Sequence, residues 1–194
     1  MHADHPAEPE RDRQQRILDA ALSLLSQRGI AGVSMRAVAR EAGVSLGLLN
    51  YHYEDKLGLI RAALRHIEAH DIELLRSDPA QTPEERLRVA LRRVVSPEFL
   101  TTDYLSLRLQ LWSLAQAHED FAEINATAQQ RYRSRIADLI KDARPDLPRR
   151  ECTKRAADID VIQNGLWLTA LLGLDKSSLN RSVARCETIA FDGS

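Results

Sequence analysis

The stretch that decides the fold reads Ser34-Met-Arg-Ala-Val-Ala-Arg-Glu-Ala-Gly-Val-Ser-Leu-Gly-Leu-Leu-Asn-Tyr-His-Tyr-Glu-Asp-Lys56. Ser34 can accept a hydrogen bond from a free first-turn amide, which predicts a helix start. Val38, Ala39 and Ala42 follow as a small apolar stripe at helical spacing. Gly43 can take positive φ and stops that helix. Val44 fills the corner, and Ser45 caps a second helix that carries Leu48, Leu49 and Tyr51. Small residues at Ala39 and Gly43 let the two helices cross closely at a steep angle. The pattern is a helix-turn-helix, whose second helix is presented to a DNA major groove.

Outward from this unit, helical periodicity recurs and no segment alternates like a strand. Toward the N-terminus, a helix over Arg11–Arg28 puts Ile17, Leu18, Ala21, Leu22, Leu24 and Leu25 on one face, and Gly29 ends it. Residues 1–10 are polar and predicted to be a disordered tail. Toward the C-terminus, Asp55 can cap a long helix over Lys56–Arg76, with Leu57, Ile60, Leu64, Ile67, Leu74 and Leu75 facing inward. That helix starts beside the reading unit and ends in the following body, which makes it a natural lever. Thr82-Pro83-Glu84-Glu85 then writes a capping box with Pro at the first helical position. Further amphipathic helices are expected over Tyr104–Ala117 and Phe121–Asp142. Another over Arg149–Gly173 becomes apolar around its whole circumference, and a last one covers Ser177–Ile189. The expected fold is all-α with about nine helices: a three-helix DNA-binding domain over 11–55 and a larger helical domain over 56–194.

Composition bounds the function. A hydrophobic fraction of 44% in 194 residues is that of an ordinary globular core. Net charge is −1, so the chain is no general coat for nucleic acid. Residues 11–61 are different: eight cations (Arg11, Arg13, Arg16, Arg28, Arg36, Arg40, Lys56, Arg61) face five anions, leaving +3. That is a modest footprint for a phosphate backbone. Cys152 and Cys186 lack metal-type spacing, and a disulfide between them is not expected. No apolar stretch suits a signal peptide or a membrane span, which predicts a cytoplasmic protein without a membrane partner.

Two resemblances add to this reading. Ala42-Gly43-Val44-Ser45-x-Gly47, followed by Tyr51-His52-Tyr53-x-Asp55-Lys56-x-x-Leu59, resembles the DNA-binding domain of TetR-type repressors. The resemblance implies a dimer that sets its reading helices in successive major grooves of a palindromic double-stranded operator, with half-sites about 34–36 Å apart or a multiple of that. Position by position, it implies phosphate contacts from Ser34, Tyr51, His52 and Lys56 and a base contact from Arg36. An Arg fork there suits guanine O6 and N7. The reading helix contributes Ser45, Leu46, Gly47, Leu48 and Asn50, with Gly47 letting backbone approach the groove. Two departures stand out. Asn50 replaces the Tyr of many members, and Leu46 and Leu48 offer thymine methyls a surface but offer no donors. Operator preference then leans on Arg36 and DNA shape.

The helix that is apolar all round, together with the one after it, suggests packing on a second copy across a two-fold axis. Ile159, Ile162, Leu166, Leu171, Leu179 and Val183 are the expected interface residues. The segment Gln163-Asn164-Gly165-Leu166-Trp167-Leu168, with Leu111-Trp112 and His118, resembles the C-terminal domain of BetI-type regulators. That resemblance implies a choline-like effector, and aromatic faces attract quaternary ammonium groups. Tyr104, Trp112, Phe121, Tyr132 and Trp167 are the candidate lining, although each also suits a packed core. Asn164 stands where the compared BetI-type sequence is acidic. The expected partners are therefore operator DNA, a second copy and an unidentified small molecule, cationic or quaternary ammonium in class.

Other functional classes find less support in the sequence. The six histidines sit beside no nucleophile with an orienting acid, and no Gly-rich phosphate loop or H-E-x-x-H occurs, so neither an enzyme nor a cofactor is expected. His66 and His70 lie one turn apart but lack a third ligand. The remaining rival is a helical interaction protein without sequence-specific DNA binding, for which the apolar Leu46 and Leu48 argue.

Overall fold

Short-range chemistry sets most helix ends. In the structure, a computed structural model that describes residues 10–73, 75–76, 78–173 and 176–192, the described residues form nine helices and no strand. The predicted tail over 1–9 and Leu74 lie outside the described residues, as does the side chain of His70. Glu10, assigned to the tail, already begins α1 (Glu10–Gly32). Gly29 interrupts that helix with φ 64° and ψ −176°, a conformation glycine tolerates, so the regular part stops where expected. Next come α2 (Met35–Ala42), α3 (Leu46–His52) and α4 (Lys56–Glu73). Asp55 caps α4, its carboxylate accepting from the Gly58 amide at 2.7 Å.

The chain divides into two compact units, Met1–Ile67 and Glu68–Ser194. This division falls inside α4, whose first turns bury Leu59, Ile60, Ala63, Leu64 and Ile67. In the first unit Ile17, Leu24, Leu25, Val38 and Leu49 are buried, so α1, α2 and α3 each turn one stripe inward.

The second unit comprises α5 (Pro83–Arg93), α6 (Thr102–Ala117), α7 (Glu119–Ala143), α8 (Arg149–Leu171) and α9 (Lys176–Phe191). Thr82 and Glu85 form the capping box, the Thr82 amide donating to the carboxylate at 2.8 Å and the Glu85 amide to the hydroxyl at 3.3 Å. The core joins Leu87, Leu91, Phe99, Ile136, Ile140, Ala156, Ile159 and Leu166. Among the polar side chains inside it, Tyr132 and Arg155 find partners, while Gln163 Nε2 is buried without one. Tyr132 donates to Gln163 Oε1 at 2.9 Å, and Arg155 reaches the carbonyls of Ile189 and Ala190 at the end of α9. The half-exposed rim is tied by Glu187, which accepts from Arg88 and Arg92. No helix among the described residues is long and apolar enough to cross a membrane.

Candidate nucleic-acid interface and effector pocket

Ser34 accepts from the Ala37 amide at 3.2 Å and starts α2. Gly43 closes it at φ 66°, ψ 33°, its own amide and that of Val44 reaching back to Arg40 and Ala39 carbonyls. Ser45 then accepts from Leu48 and starts α3. Two caps and one left-handed glycine thus set the angle of the reading helix. Only Leu49 of α3 is wholly buried. Gly47, Asn50 and Tyr51 are exposed, Tyr51 to 84%, and Arg36 is exposed on α2. Exposed Gly47 and Tyr51, one turn apart on α3, offer room for close approach and a flat ring with a donor, and Arg36 adds a cation on α2. Leu46 and Leu48 are half-buried, so the helix does not present a leucine surface.

Two of the expected phosphate ligands are engaged within the chain. The Lys56 ammonium donates to the Ile30 carbonyl at 2.5 Å, closing the turn that follows Gly29. His52 is largely covered, its Nε2 lying 3.0 Å from Glu10 at the start of α1. Both positions brace the reading unit and would have to release these partners to meet a phosphate. His66 reaches Gln15 at 3.1 Å, so that ring bridges α1 and α4. Among the described residues no three metal-ligating side chains converge.

In the second unit, three of the five candidate pocket residues come together. Tyr104 and Trp112 on α6 and Trp167 on α8 surround one point, and the point is occupied by the guanidinium of Arg108. Its central carbon lies 4.0 Å from the Trp167 ring centre, 5.7 Å from Trp112 and 5.9 Å from Tyr104. Trp167 is held in place by donating its indole N–H to the Val94 carbonyl at 3.2 Å. The aromatic cluster expected as a pocket lining therefore already holds a cation from the chain itself. The sequence held the signal, since Tyr104, Arg108 and Trp112 are each four residues apart and share a helix face. Beside the rings runs a cleft lined by Leu105, Leu109, Trp112, Trp167, Leu168 and Leu171. Phe121 and Tyr132 do not line it. Phe121 is buried against His118, and Tyr132 is spent on Gln163.

Next to Arg108, Asn164 brings Oδ1 within 3.5 Å of the guanidinium and donates from Nδ2 to Asp160 at 3.2 Å. Asp160 is buried, with Arg133 at 3.9 Å. Burial pushes its carboxyl above the ordinary range, against the opposing pull of Arg133 and Arg108.

The expected dimer residues differ in their burial within the single chain. Ile159, Leu166, Leu179 and Val183 are buried within the single chain, because α7, α8 and α9 pack on one another, and Ile162 and Leu171 are only half-buried. The outward stripe of α8 is instead Val161 (71% exposed), Gly165, Leu168 (40%) and Leu172 (78%). These positions alternate by four and three residues, the spacing of a seam between paired helices. No atom lies near where a Gly165 Cβ would project, so the backbone there is open to a neighbour.

Comparison with known proteins agrees with this geometry. Residues 17–63 match the family model for bacterial regulatory proteins of the tetR family. Residues 83–190 match the model for the C-terminal domain of BetI-type transcriptional repressors. The HTH-type transcriptional regulator BetI of Escherichia coli K12 is 26% identical over 172 residues, covering 87% of this chain and 88% of its own. Among solved structures, a protein of Pseudomonas aeruginosa PAO1 described as a transcriptional regulator superposes with a TM-score of 0.82 at 24% identity, covering 96% and 92% of the two chains. Another described regulator, from Saccharomonospora viridis and in complex with choline, gives 0.76 at 21%, covering 94% and 98%. At these identities the structural likeness concerns the fold.

Proposed function

Because the chain belongs to the TetR family of bacterial regulators and carries a BetI-type repressor domain, we propose that it represses transcription as a cytoplasmic homodimer on a palindromic operator. A small molecule bound in the second unit releases it. The observation that carries this reading is α3: anchored by Leu49, capped at Ser45, and exposed along Gly47, Asn50 and Tyr51. The rival, an interaction protein without DNA specificity, needs an apolar reading helix, and half-buried Leu46 and Leu48 do not supply one.

On DNA, Arg36 reads a base edge while Ser34 and Tyr51 hold phosphates. Lys56 and His52 contribute once the backbone phosphates compete with the Ile30 carbonyl and Glu10. Two copies joined along Val161, Gly165, Leu168 and Leu172 supply the symmetry that a palindrome demands. An effector that prefers a conformation with wrongly spaced reading heads lowers operator affinity by its differential binding to the two states. Residues of α4 belong to both units, so α4 is the covalent route for that coupling. Gel shifts with DNA from upstream of the chain's own gene and of its neighbours test the reading. Binding that weakens steeply with salt yet survives excess unrelated DNA is expected. Binding equal for all sequences would contradict it.

A further inference from the structure

Glu10, the first residue of α1, reaches two donors on different helices. Its Oε1 lies 3.0 Å from His52 Nε2 at the end of α3, and its Oε2 accepts from the Arg13 guanidinium at 3.0 Å. One carboxylate thus bridges the reading helix and α1, spending a separate oxygen on each. The three side chains differ in cover: His52 is 13% exposed and Arg13 33%, whereas Glu10 is 53% exposed. The donors form the wall, and the acceptor lies outermost.

The site borders the face offered to DNA. The His52 ring meets the Tyr51 ring edge-on at 5.3 Å and the Tyr53 ring at 6.3 Å, and Tyr51 is the exposed ring of α3. Arg13 also has more to give than Glu10 takes. One terminal nitrogen donates to the carboxylate, while Nε is shielded and meets no acceptor among the described residues. A phosphate suits a guanidinium fork as a carboxylate does and carries more acceptor oxygens. An ion pair whose carboxylate is half exposed is weak. Glu10 is therefore an occupant that a backbone phosphate can displace.

We propose that Arg13 and His52 form a phosphate-binding site, held in the free protein by the Glu10 carboxylate, which a DNA backbone phosphate replaces on binding. Arg13 thereby joins the DNA contacts from outside the helix-turn-helix, and Glu10 sets how tightly the protein holds any duplex. The inference rests on the reading of this unit as DNA-binding, and it adds α1 to that face. Phosphates carry no sequence information, so changes at this site alter affinity and leave operator preference alone.

Fluorescence anisotropy of the full chain on an operator duplex and on an unrelated duplex, across a salt series, tests this. The variants are Glu10→Gln, Arg13→Gln, Arg13→Lys and Asp12→Asn, the last removing an exposed carboxylate two residues away as a control for charge alone. Glu10→Gln should bind both duplexes about threefold tighter per half-site, about tenfold for a dimer, at an unchanged salt slope. Asp12→Asn should change affinity by less than about twofold. Arg13→Gln should bind at least about tenfold weaker and lose about one unit of log–log salt slope per half-site. Arg13→Lys keeps the charge and should keep the slope; with Glu10→Gln it decides the matter should Arg13→Gln fail to fold. Glu10→Gln binding no tighter than Asp12→Asn would overturn the proposal, as would an unchanged slope in Arg13→Gln. Wild-type binding keeps the two readings apart. Equal affinity for both duplexes sinks the repressor reading, whereas operator preference intact with Glu10→Gln indifferent sinks only this inference.

Discussion

Two glycines of the reading unit do opposite work. Gly43 sits at φ +66° with open space around it, so a side chain there is opposed by backbone conformation alone. Gly43→Ala should cost about 1–2 kcal/mol, the ordinary penalty for a left-handed non-glycine residue, measurable by thermal or urea unfolding. Gly47 is exposed and helical, and an added Cβ would meet only Ser45 Oγ at 4.0 Å. Nothing in the folded chain requires glycine there, and its value lies in what approaches from outside. Gly47→Gln should therefore leave stability unchanged or slightly raised, since glycine costs a helix about 0.5–1 kcal/mol relative to alanine. Operator affinity should fall at least about tenfold. Equal operator binding by the variant would show that α3 does not lie close to a groove. The two cysteines make a third residue-level test. Cys152 is wholly buried, and burial together with nearby Glu187 pushes the Cys186 thiol up to about 12. A thiol reagent at pH 8 should label neither in the native protein and both in denaturant.

Among elements, α5 offers the cleanest measurement, because its start is a reciprocal cap on an exposed turn. Thr82→Ala should cost about 1 kcal/mol of stability. Hydrogen bonds from the Thr82 amide and hydroxyl hold the Glu85 carboxyl below its ordinary 4.5. A depressed carboxyl stabilises the fold above its unfolded value and loses that contribution as pH falls through the native one. The difference in melting temperature between wild type and Thr82→Ala should accordingly be full at pH 7 and shrink below the ordinary carboxylate range. An undiminished difference in acid would mean the cap does not use the ionised form. Helix ends such as Ser34, Gly43, Ser45, Asp55 and Thr82 were legible in the sequence because each acts through its own neighbours within four residues. Which face of α8 points inward was not legible. A helix apolar on every side leaves that choice to the packing of α7 and α9, and the packing took Ile159 and Leu166 inside. Of the aromatic cluster, the rings are legible in the sequence, and the four-residue spacing of Tyr104, Arg108 and Trp112 puts Arg108 on the same face of α6.

At the scale of the whole molecule, function depends on pairing. The outward stripe Val161, Gly165, Leu168, Leu172 is apolar where the rest of the α8 exterior carries Lys154 and Asp158. A second copy is the occupant that a two-fold operator calls for. Leu172→Asp should shift sedimentation toward the monomer and cut operator affinity, while leaving the monomer's circular dichroism intact because the side chain is 78% exposed. A variant that stays dimeric would move the interface elsewhere. The compact units meet inside α4 because Leu59, Ile60 and Leu64 are buried, a feature that composition and caps do not reveal.

The central claim is that α3, presented twice and symmetrically, reads a palindrome. Selection of bound duplexes from a random DNA pool by the purified chain tests it most directly. The account predicts enrichment of a two-fold symmetric motif with half-sites one helical turn, about 10–10.5 base pairs, or a multiple apart, abolished by Gly47→Gln and by Leu172→Asp. Enrichment of an asymmetric motif, or of none, would contradict it.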